Sequence, residues 1–375
     1  MKRALALAAQ AQGRTSPNPM VGAVIVADGR IIGEGYHHHA GEPHAEINAL
    51  DAVAVSDRPL VRGATVYVTL EPCAHFGRTP PCADRLVAEG VAEVVVGMTD
   101  PNPAVSGKGI ERLREAGIRV RCGEEEAACA ALNEAYITSM TTHRPFVTLK
   151  SGMSLDGKIA TVEGESKWIT NEAARSDGHR LRATHDAILI GIGTVLADNP
   201  RLDYRPTDGA AAPELRPDVV ILDAKGRTPT DAAILSITRR KVIIFVDADC
   251  ETSRIEGLRA AGAEVVVLDA AGGMLPVGDV LDVLHAREIS SVLVEGGASV
   301  VASFIEANAF DKAVVYIANR FLGGRDAVPA VGGAGIPHLA DSVMLDFTSI
   351  ERVGDNLRIE AYRRERKGAH VYGHH

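Results

Sequence analysis

Short apolar runs alternate with stretches of helical spacing along most of the chain, and this rhythm predicts an α/β protein. Met20–Ala27 reads as a strand, Asp28-Gly29 as a hairpin turn, and Ile31–Tyr36 as the returning strand. A helical pattern starts near His44. It is followed by a strand at Thr65–Leu70, a helix from Cys82, a strand at Glu93–Met98, a helix over Lys108–Ala116 and a short strand at Ile118–Arg121. The segment Glu124–Thr141 is expected to be one long helix, with three acidic residues at its start where the helix dipole favours them. At the N-terminus, Met1–Gln10 is apolar over a short stretch only, and Gln10, Gln12 and Arg14 stand where a leader's cleavage site should be. A first amphipathic helix is the expectation there.

Thr142-His143-Arg144-Pro145 interrupts the pattern, because Pro145 lacks an N–H and restricts Arg144. A new strand, Phe146–Lys150, follows at once. The expected organisation is therefore a domain over residues 1–143 and a second over residues 145–367, with a frayed tail. In the second, strands are expected at Ala187–Ile190, Val219–Leu222, Val242–Val246, Glu264–Leu268, Ser291–Val294 and Ala313–Ile317, with helices between several of them. Pro206–Pro217 is a Gly/Ala/Pro-rich surface loop. No internal repeat links the halves.

The 375 residues suit two domains, and the formal charge of −9 argues against a protein that lives on polynucleotide phosphates. It leaves room for a local basic pocket around one small phosphorylated ligand. No apolar run reaches the ~18–20 residues of a membrane span. Five cysteines are too sparse and too odd in number for a disulfide scaffold, which favours a reducing cytoplasm and raises the question of metal ligation.

That question centres on His44-Ala45-Glu46, Glu71-Pro72-Cys73 and Pro80-Pro81-Cys82. One imidazole and two thiolates make three tetrahedral zinc ligands and leave a fourth position for water. Cys82 opens a helix behind two prolines, where the dipole favours a thiolate. Glu46, two residues after His44, can face that water and move its protons. The zinc deaminases of nucleobases carry H-x-E and P-C-x-x-C. Here the first half is intact, but eight residues separate Cys73 from Cys82. A closed structural site, with His75 as fourth ligand, is the competing reading; it leaves Glu46 without a purpose. Nearby, His37, His38 and His39 follow a strand, and His37 or His39 can line a pocket. Asn18, in the rigid turn Thr15-Ser16-Pro17-Asn18-Pro19, offers an amide donor and acceptor suited to a pyrimidine edge.

Taken together, His44-Ala45-Glu46 and the stretch from Glu71-Pro72-Cys73 through His75-Phe76-Gly77-Arg78-Thr79 to Cys82 resemble the deaminase half of the bifunctional riboflavin-biosynthesis deaminase/reductase family. The likeness continues through Asp100-Pro101-Asn102-Pro103 and Ser106-Gly107-Lys108-Gly109. The resemblance implies a cytidine-deaminase-like α/β/α domain. It makes His44, Cys73 and Cys82 the ligands of Zn2+ and Glu46 the proton shuttle, with Asn18 and His37 at the substrate.

The second half has no metal constellation. Its informative places are strand ends: Lys150 to Lys158, Gly164 to Thr170 with the only tryptophan, Gly191-Ile192-Gly193-Thr194, and Glu295-Gly296-Gly297-Ala298-Ser299. A strand running through a Gly-Gly turn into a helix presents backbone N–H groups to a phosphate or diphosphate. Neither glycine pair completes G-x-G-x-x-G. Trp168 reads equally well as core packing. The stretches Met153 to Lys158, Gly164 to Thr170, Thr194 to Pro200 and Leu293 to Gly297 resemble the reductase half of the same family, so that the likeness covers about residues 1–365. It implies a dihydrofolate-reductase-like α/β domain that uses NADPH. The cofactor would meet Gly152, Trp168, Thr194, Asp198, Ala224 and the run Gly297, Ala298, Ser299, Val300, Val301, Ala302, Ser303. Substrate would meet Ser166, Arg182, Leu202, Arg205 and Glu295, and the forked guanidinium groups of Arg182 and Arg205 suit a phosphate clamp.

The resulting expectation is a cytoplasmic two-step enzyme. It would deaminate a small phosphorylated pyrimidine at zinc and then reduce its ribosyl group with NADPH. It would bind no nucleic acid and no membrane, and would assemble as a homodimer or homotetramer. Two rivals compete with it: a nucleoside or tRNA deaminase carrying an unrelated binding domain, and a zinc-stabilised binding module without activity. The acidic charge, the longer cysteine loop and the second-half motifs oppose the first. An exchangeable water on the metal would distinguish the second.

Overall fold

The computed structural model describes residues 1–74, 80–103, 105–204, 217–270 and 273–364. The chain divides into two compact units, Met1–Arg144 and Pro145–His375. The first contains β1 (Gly22–Ala27), β2 (Arg30–Tyr36), β3 (Thr65–Leu70), β4 (Glu93–Met98) and β5 (Arg119–Cys122). Its helices are α1 (Lys2–Ala8), α2 (Ala45–Asp51), α3 (Cys82–Glu89), α4 (Lys108–Glu115), α5 (Glu126–Leu132) and α6 (Glu134–Thr142). The strands lie in the order β2-β1-β3-β4-β5. β1 runs antiparallel to β2 and β3, and β3, β4 and β5 run parallel.

Asp28 and Gly29 both have positive φ, 50° and 73°, the backbone a primed two-residue hairpin turn requires. On one face of this sheet Ile25, Val66, Val68, Val94 and Val96 pack against Ala49 and Leu50 of α2, Leu86 of α3 and Leu113 of α4. On the other, Val24 meets Ala4 and Leu7 of α1, and Leu70 and Met98 meet Cys129 of α5. Helices thus cover both faces of a central sheet. Gly35 lets α2 approach closely, since a Cβ there would strike the backbone of Ala49 and Asn48.

One expected element differs. The segment from Glu124 forms two helices rather than one, because Asn133 leaves helical geometry (φ −113°, ψ 24°). Its buried side chain accepts from the Met20 N–H at 2.8 Å and donates to the Met20 carbonyl at 3.0 Å. Both groups precede β1 and would otherwise lack these partners, so a distant contact overrides local helix propensity.

The second unit contains β6 (Phe146–Ser154), β7 (Ala187–Gly191), β8 (Asp218–Leu222), β9 (Val242–Asp247), β10 (Glu264–Leu268), β11 (Ser291–Val294), β12 (Lys312–Ala318), β13 (Leu345–Val353) and β14 (Asn356–Arg363). Its helices are α7 (Glu172–Ala183), α8 (Ile192–Asp198), α9 (Thr252–Ala260), α10 (Val277–His285) and α11 (Ala298–Glu306). The sheet order is β10-β9-β8-β7-β11-β6-β12-β14-β13. Neighbours are parallel from β10 to β12, and β14 and β13 extend the sheet antiparallel. The fully buried Ile188, Leu189, Ile190, Val292, Leu293 and Val294 explain why β7 and β11 read as continuous apolar runs. β6 runs four residues past the expected Lys150. The final hairpin has no counterpart among the expected strands: β13 is an edge with Phe347 and Ile350 exposed, so its pattern lacks the in/out alternation of a half-buried strand. Among the described residues, no helix is long and apolar enough to cross a membrane.

Asn133→Ala should destabilise the first unit by about 1–3 kcal/mol, by leaving the Met20 N–H and carbonyl without these partners. Urea unfolding followed by a probe in the first unit checks this, and an unchanged midpoint would remove Asn133 from that role.

Candidate functional site

In the first unit, two helix starts and one strand end bring the chemistry together. His44 is the extended residue (φ −70°, ψ 166°) immediately before α2, which places Glu46 in that helix's first turn. Cys73 follows β3, and Cys82 is the first residue of α3 behind Pro81. The Nδ1 of His44 lies 3.6 Å from the Cys73 Sγ and 3.3 Å from the Cys82 Sγ, and all three ligand atoms fall within 4.8 Å of one another. A tetrahedral zinc with typical Zn–N and Zn–S bonds needs N···S edges of about 3.6 Å. The donor set therefore fits zinc in both chemistry and spacing. The Cys82 N–H points at the Cys73 sulfur (3.3 Å) and the Ala83 N–H donates to the Cys73 carbonyl (3.2 Å), so the start of α3 holds Cys73 in place.

Charge at this site is held back by burial and released by pairing. Without a metal, Cys73 is drawn down to about 4, chiefly by its hydrogen bond with the Cys82 thiol and, against burial, by His44. Cys82 is pushed up by the same hydrogen bond and by burial, so it retains its proton until a cation displaces it. His44 is raised, first by its contact with Cys73. Burial lifts Glu46, only 4% exposed, to about 7, with His44 opposing and Cys73 assisting. A carboxyl near neutrality can both take and return a proton.

Asn18 and His37 meet beside this cluster. The Asn18 amide nitrogen lies 3.2 Å from Nε2 of His37, whose Nδ1 lies 3.2 Å from the Pro43 carbonyl. Nδ1 must donate to that carbonyl, so Nε2 accepts from Asn18. The His37 ring packs edge-on to His44 with centroids 5.4 Å apart, and burial lowers its pKa. His38 stacks on Tyr36 and His39 pairs with Glu42. His75 lies outside the described residues.

In the second unit, Glu295 follows β11 and its carboxylate is gripped by Arg182, with Nε at 2.6 Å and Nη2 at 2.9 Å. The remaining Nη1 of Arg182 donates to the Asp203 carbonyl at 3.3 Å. The fork of Arg182 is thus turned onto Glu295 and the backbone. Arg205 lies outside the described residues. Leu202 sits in the core with φ +49°, so its side chain packs among Ile188 and Val219 while Arg240 holds its carbonyl at 2.9 Å. Lys150 on β6 comes within 3.5 Å of Glu295 and was not anticipated. Its signal was a charged residue closing the apolar run Phe146-Val147-Thr148-Leu149.

The expected cofactor residues are spread over neighbouring strand ends. Gly152 lies on β6, Thr194 and Asp198 on α8, and Ala224 just beyond β8. Asp198 pairs with Lys167 at 3.0 Å, tying the Ser166–Trp168 loop to α8. Trp168 is exposed, not core, with the Arg175 guanidinium 4.4 Å over its ring. Gly297 precedes α11, and a Cβ there would meet nothing, whereas one at Gly296 or Gly191 would strike Val300. The bare α11 N-terminus fits a diphosphate. Val301 and Ala302 of the expected run face the core.

A His/Cys/Cys cluster with a buried carboxyl beside it, on a sheet of this order, has the make-up of a zinc-dependent deaminase site. The family model for the cytidine and deoxycytidylate deaminase zinc-binding region matches residues 1–98, and that for the RibD C-terminal domain matches residues 145–359. The chain is 42% identical over 373 residues to the riboflavin biosynthesis protein RibD of Bacillus amyloliquefaciens, covering 99% of this chain and 98% of that one. It is 41% identical over 361 residues to the RibD of Aquifex aeolicus, covering 96% of each. Solved RibD from Acinetobacter baumannii superposes with a TM-score of 0.85 at 37% identity, over 97% of this chain and 98% of that one. A Thermotoga maritima structure described as a diaminohydroxyphosphoribosylaminopyrimidine deaminase and 5-amino-6-(5-phosphoribosylamino)uracil reductase gives a TM-score of 0.85 at 37% identity, over 97% of each chain. The chain belongs to the RibD family, bifunctional deaminase/reductases of riboflavin biosynthesis.

The Glu295 pair also sets a pH dependence. Burial alone would raise Glu295, but Arg182 and then Lys150 outweigh it and hold the carboxyl at about 2. Its folded value is below its unfolded value of about 4.3, so its stabilisation is complete above that pH and is lost as pH falls through about 2. Arg182→Met should cost the second unit about 3–5 kcal/mol and move its acid unfolding to higher pH. Denaturant melts from pH 3 to 7 test this; an unchanged acid transition would mean that the pair contributes nothing.

Proposed function

We propose that residues 1–143 hydrolyse the amine of 2,5-diamino-6-ribosylamino-4(3H)-pyrimidinone 5′-phosphate and that residues 145–367 then reduce the ribosyl group to ribityl. The observation that carries the first step is Glu46, buried in the first turn of α2 two residues after His44, whose Nδ1 faces both cysteine sulfurs. His44, Cys73 and Cys82 would hold zinc. Bound zinc supplies a Lewis acid that makes water nucleophilic near neutral pH. Glu46 takes a proton from the attacking water and delivers protons to the ring nitrogen and the departing ammonia. The ring carbon thereby loses a C–N bond and gains a carbonyl oxygen. Asn18, held through His37, orients the pyrimidine edge.

For the second step, bound NADPH would supply hydride chemistry at C1′ of the ring-opened sugar, a hydride and a proton together giving the two added hydrogens. The N–H groups at Gly297, Ala298 and Ser299 would hold the cofactor's diphosphate, and Gly152, Trp168, Thr194, Asp198 and Ala224 would hold the rest of it. Ser166, Arg205, Glu295 and the main chain at Leu202 would meet the substrate. Lys150, beside Glu295, brings a second cation to that end of the sheet. Arg182 aligns Glu295 rather than gripping the phosphate itself. The chain works in the cytoplasm without nucleic acid or membrane.

We place a homodimer or homotetramer on the same footing. What supports it is the free edge of β13, where Phe347 and Ile350 remain exposed at the end of a nine-stranded sheet. Sedimentation should give an assembly that Phe347→Lys with Ile350→Lys dissociates, and a wild-type monomer at micromolar concentration would refute it.

The decisive experiment supplies the pyrimidine with and without NADPH and weighs the products. Ammonia should be released without NADPH, and two hydrogens gained only when it is present. Glu46→Gln should retain zinc and lose deamination by about 10²–10⁴-fold. Full deamination by that variant would sink the assignment.

A further inference from the structure

Glu71 belongs to none of the roles above, yet it is the most heavily engaged carboxylate around the metal site. It directly follows β3, two residues before Cys73, and is only 4% exposed. Its Oε2 accepts from the N–H groups of Asp100 (3.2 Å) and Gly107 (2.9 Å). Its Oε1 accepts from Gly109 (2.9 Å) and Ile110 (3.2 Å). Three of these four donors belong to the start of α4, where N–H groups lack partners within the helix and a negative charge is favoured. A second contact joins the same two segments. Gly109 presses on the Pro72 carbonyl so closely that a Cβ at Gly109 would collide with it. Pro72 leads directly into Cys73. The segment Glu71-Pro72-Cys73 is thus clamped on one side by α4, through Glu71 and Gly109, and on the other by α3, whose Cys82 N–H reaches the Cys73 sulfur.

We infer that Glu71 is a positioning residue of the metal centre: by tying the start of α4 to the strand end that carries Cys73, it fixes the Cys73 sulfur at the spacing the metal needs. This inference rests on the reading of His44, Cys73 and Cys82 as zinc ligands. It acts through backbone geometry, since Glu71 spends all four hydrogen bonds on N–H groups. Four donors meeting two oxygens require a carboxylate. An amide has the same shape, but its NH2 would face two donors instead of accepting from them.

That difference makes Glu71→Gln the informative variant. Zinc should leave it about 10–100-fold faster than the wild type when challenged with a chelator. Cobalt(II) bound in its place should show altered thiolate-to-metal and ligand-field bands. Urea unfolding followed by a probe in the first unit, measured on the same full chain, reports that this unit remains folded. Gly109→Ala, whose Cβ would displace Pro72 and crowd the Glu71 side chain, should shift the cobalt bands as well. A packing role alone would be rescued by the isosteric glutamine, so wild-type zinc release and cobalt bands in Glu71→Gln would overturn the proposal. A wild type that takes up no zinc would overturn the metal reading and this inference with it, whereas a zinc-loaded wild type beside an unchanged variant overturns only the role of Glu71. The wild type offers a test that needs no substitution. Coupling between sites is reciprocal, so stripping zinc should accelerate amide exchange at Asp100, Gly107, Gly109 and Ile110 by about tenfold. Equal exchange with and without zinc would refute the coupling.

Discussion

The first unit depends on one constraint: an imidazole and two thiols, from segments far apart in sequence, must meet at the spacing of a tetrahedron's edges. Side chains on loops could not hold that spacing unaided. The fold solves it with helix starts. His44 sits just before α2 and Cys82 opens α3, while Cys73 is fastened to the α3 backbone by its own sulfur and carbonyl. The start of α3 does two jobs here, since its Cys82 N–H fixes the Cys73 sulfur and favours the Cys73 thiolate over its thiol. The same turn of α2 that places His44 buries Glu46, and burial brings its carboxyl near neutrality.

The second unit meets a different demand. A carboxylate at the end of a buried parallel strand is costly unless it is paired and hydrogen-bonded. Arg182 supplies both from α7, and Lys150 adds a second cation from β6. The polar end of β11 is therefore a fixed arrangement between three neighbouring elements rather than a set of independent surface charges. Val300, packed against the glycines at 191 and 296, closes the space beneath the turn and leaves Gly297 bare above it.

Much of this was legible in the sequence because the decisive interactions are local. β3, β4, β10 and β11 have the bounds that their apolar runs predict, and Cys82 begins its helix where two prolines place it. The metal cluster was legible for a related reason, since each ligand is announced by its own short motif. What escaped notice depends on distant partners. Asn133 breaks its helix for the backbone of Met20, and no window around Asn133 contains Met20. Arg182 has the composition of a phosphate clamp, but its partner Glu295 lies in another part of the chain. Lys150 closes an apolar run and Glu71 opens the Glu71-Pro72-Cys73 motif, but the groups they meet lie far away in the chain. The hairpin β13–β14 was missed because an edge strand with exposed apolar residues does not alternate.

The described strands form two sheets, and no strand of one unit belongs to the other's sheet. That separation has a genetic consequence. A substitution that disturbs one sheet leaves the hydrogen-bonded ladder of the other intact, so damage to each activity can arise on its own. Two defective alleles, one altered before Pro145 and one after it, can then restore growth when present in the same cell. A single gene will behave in a cross as two.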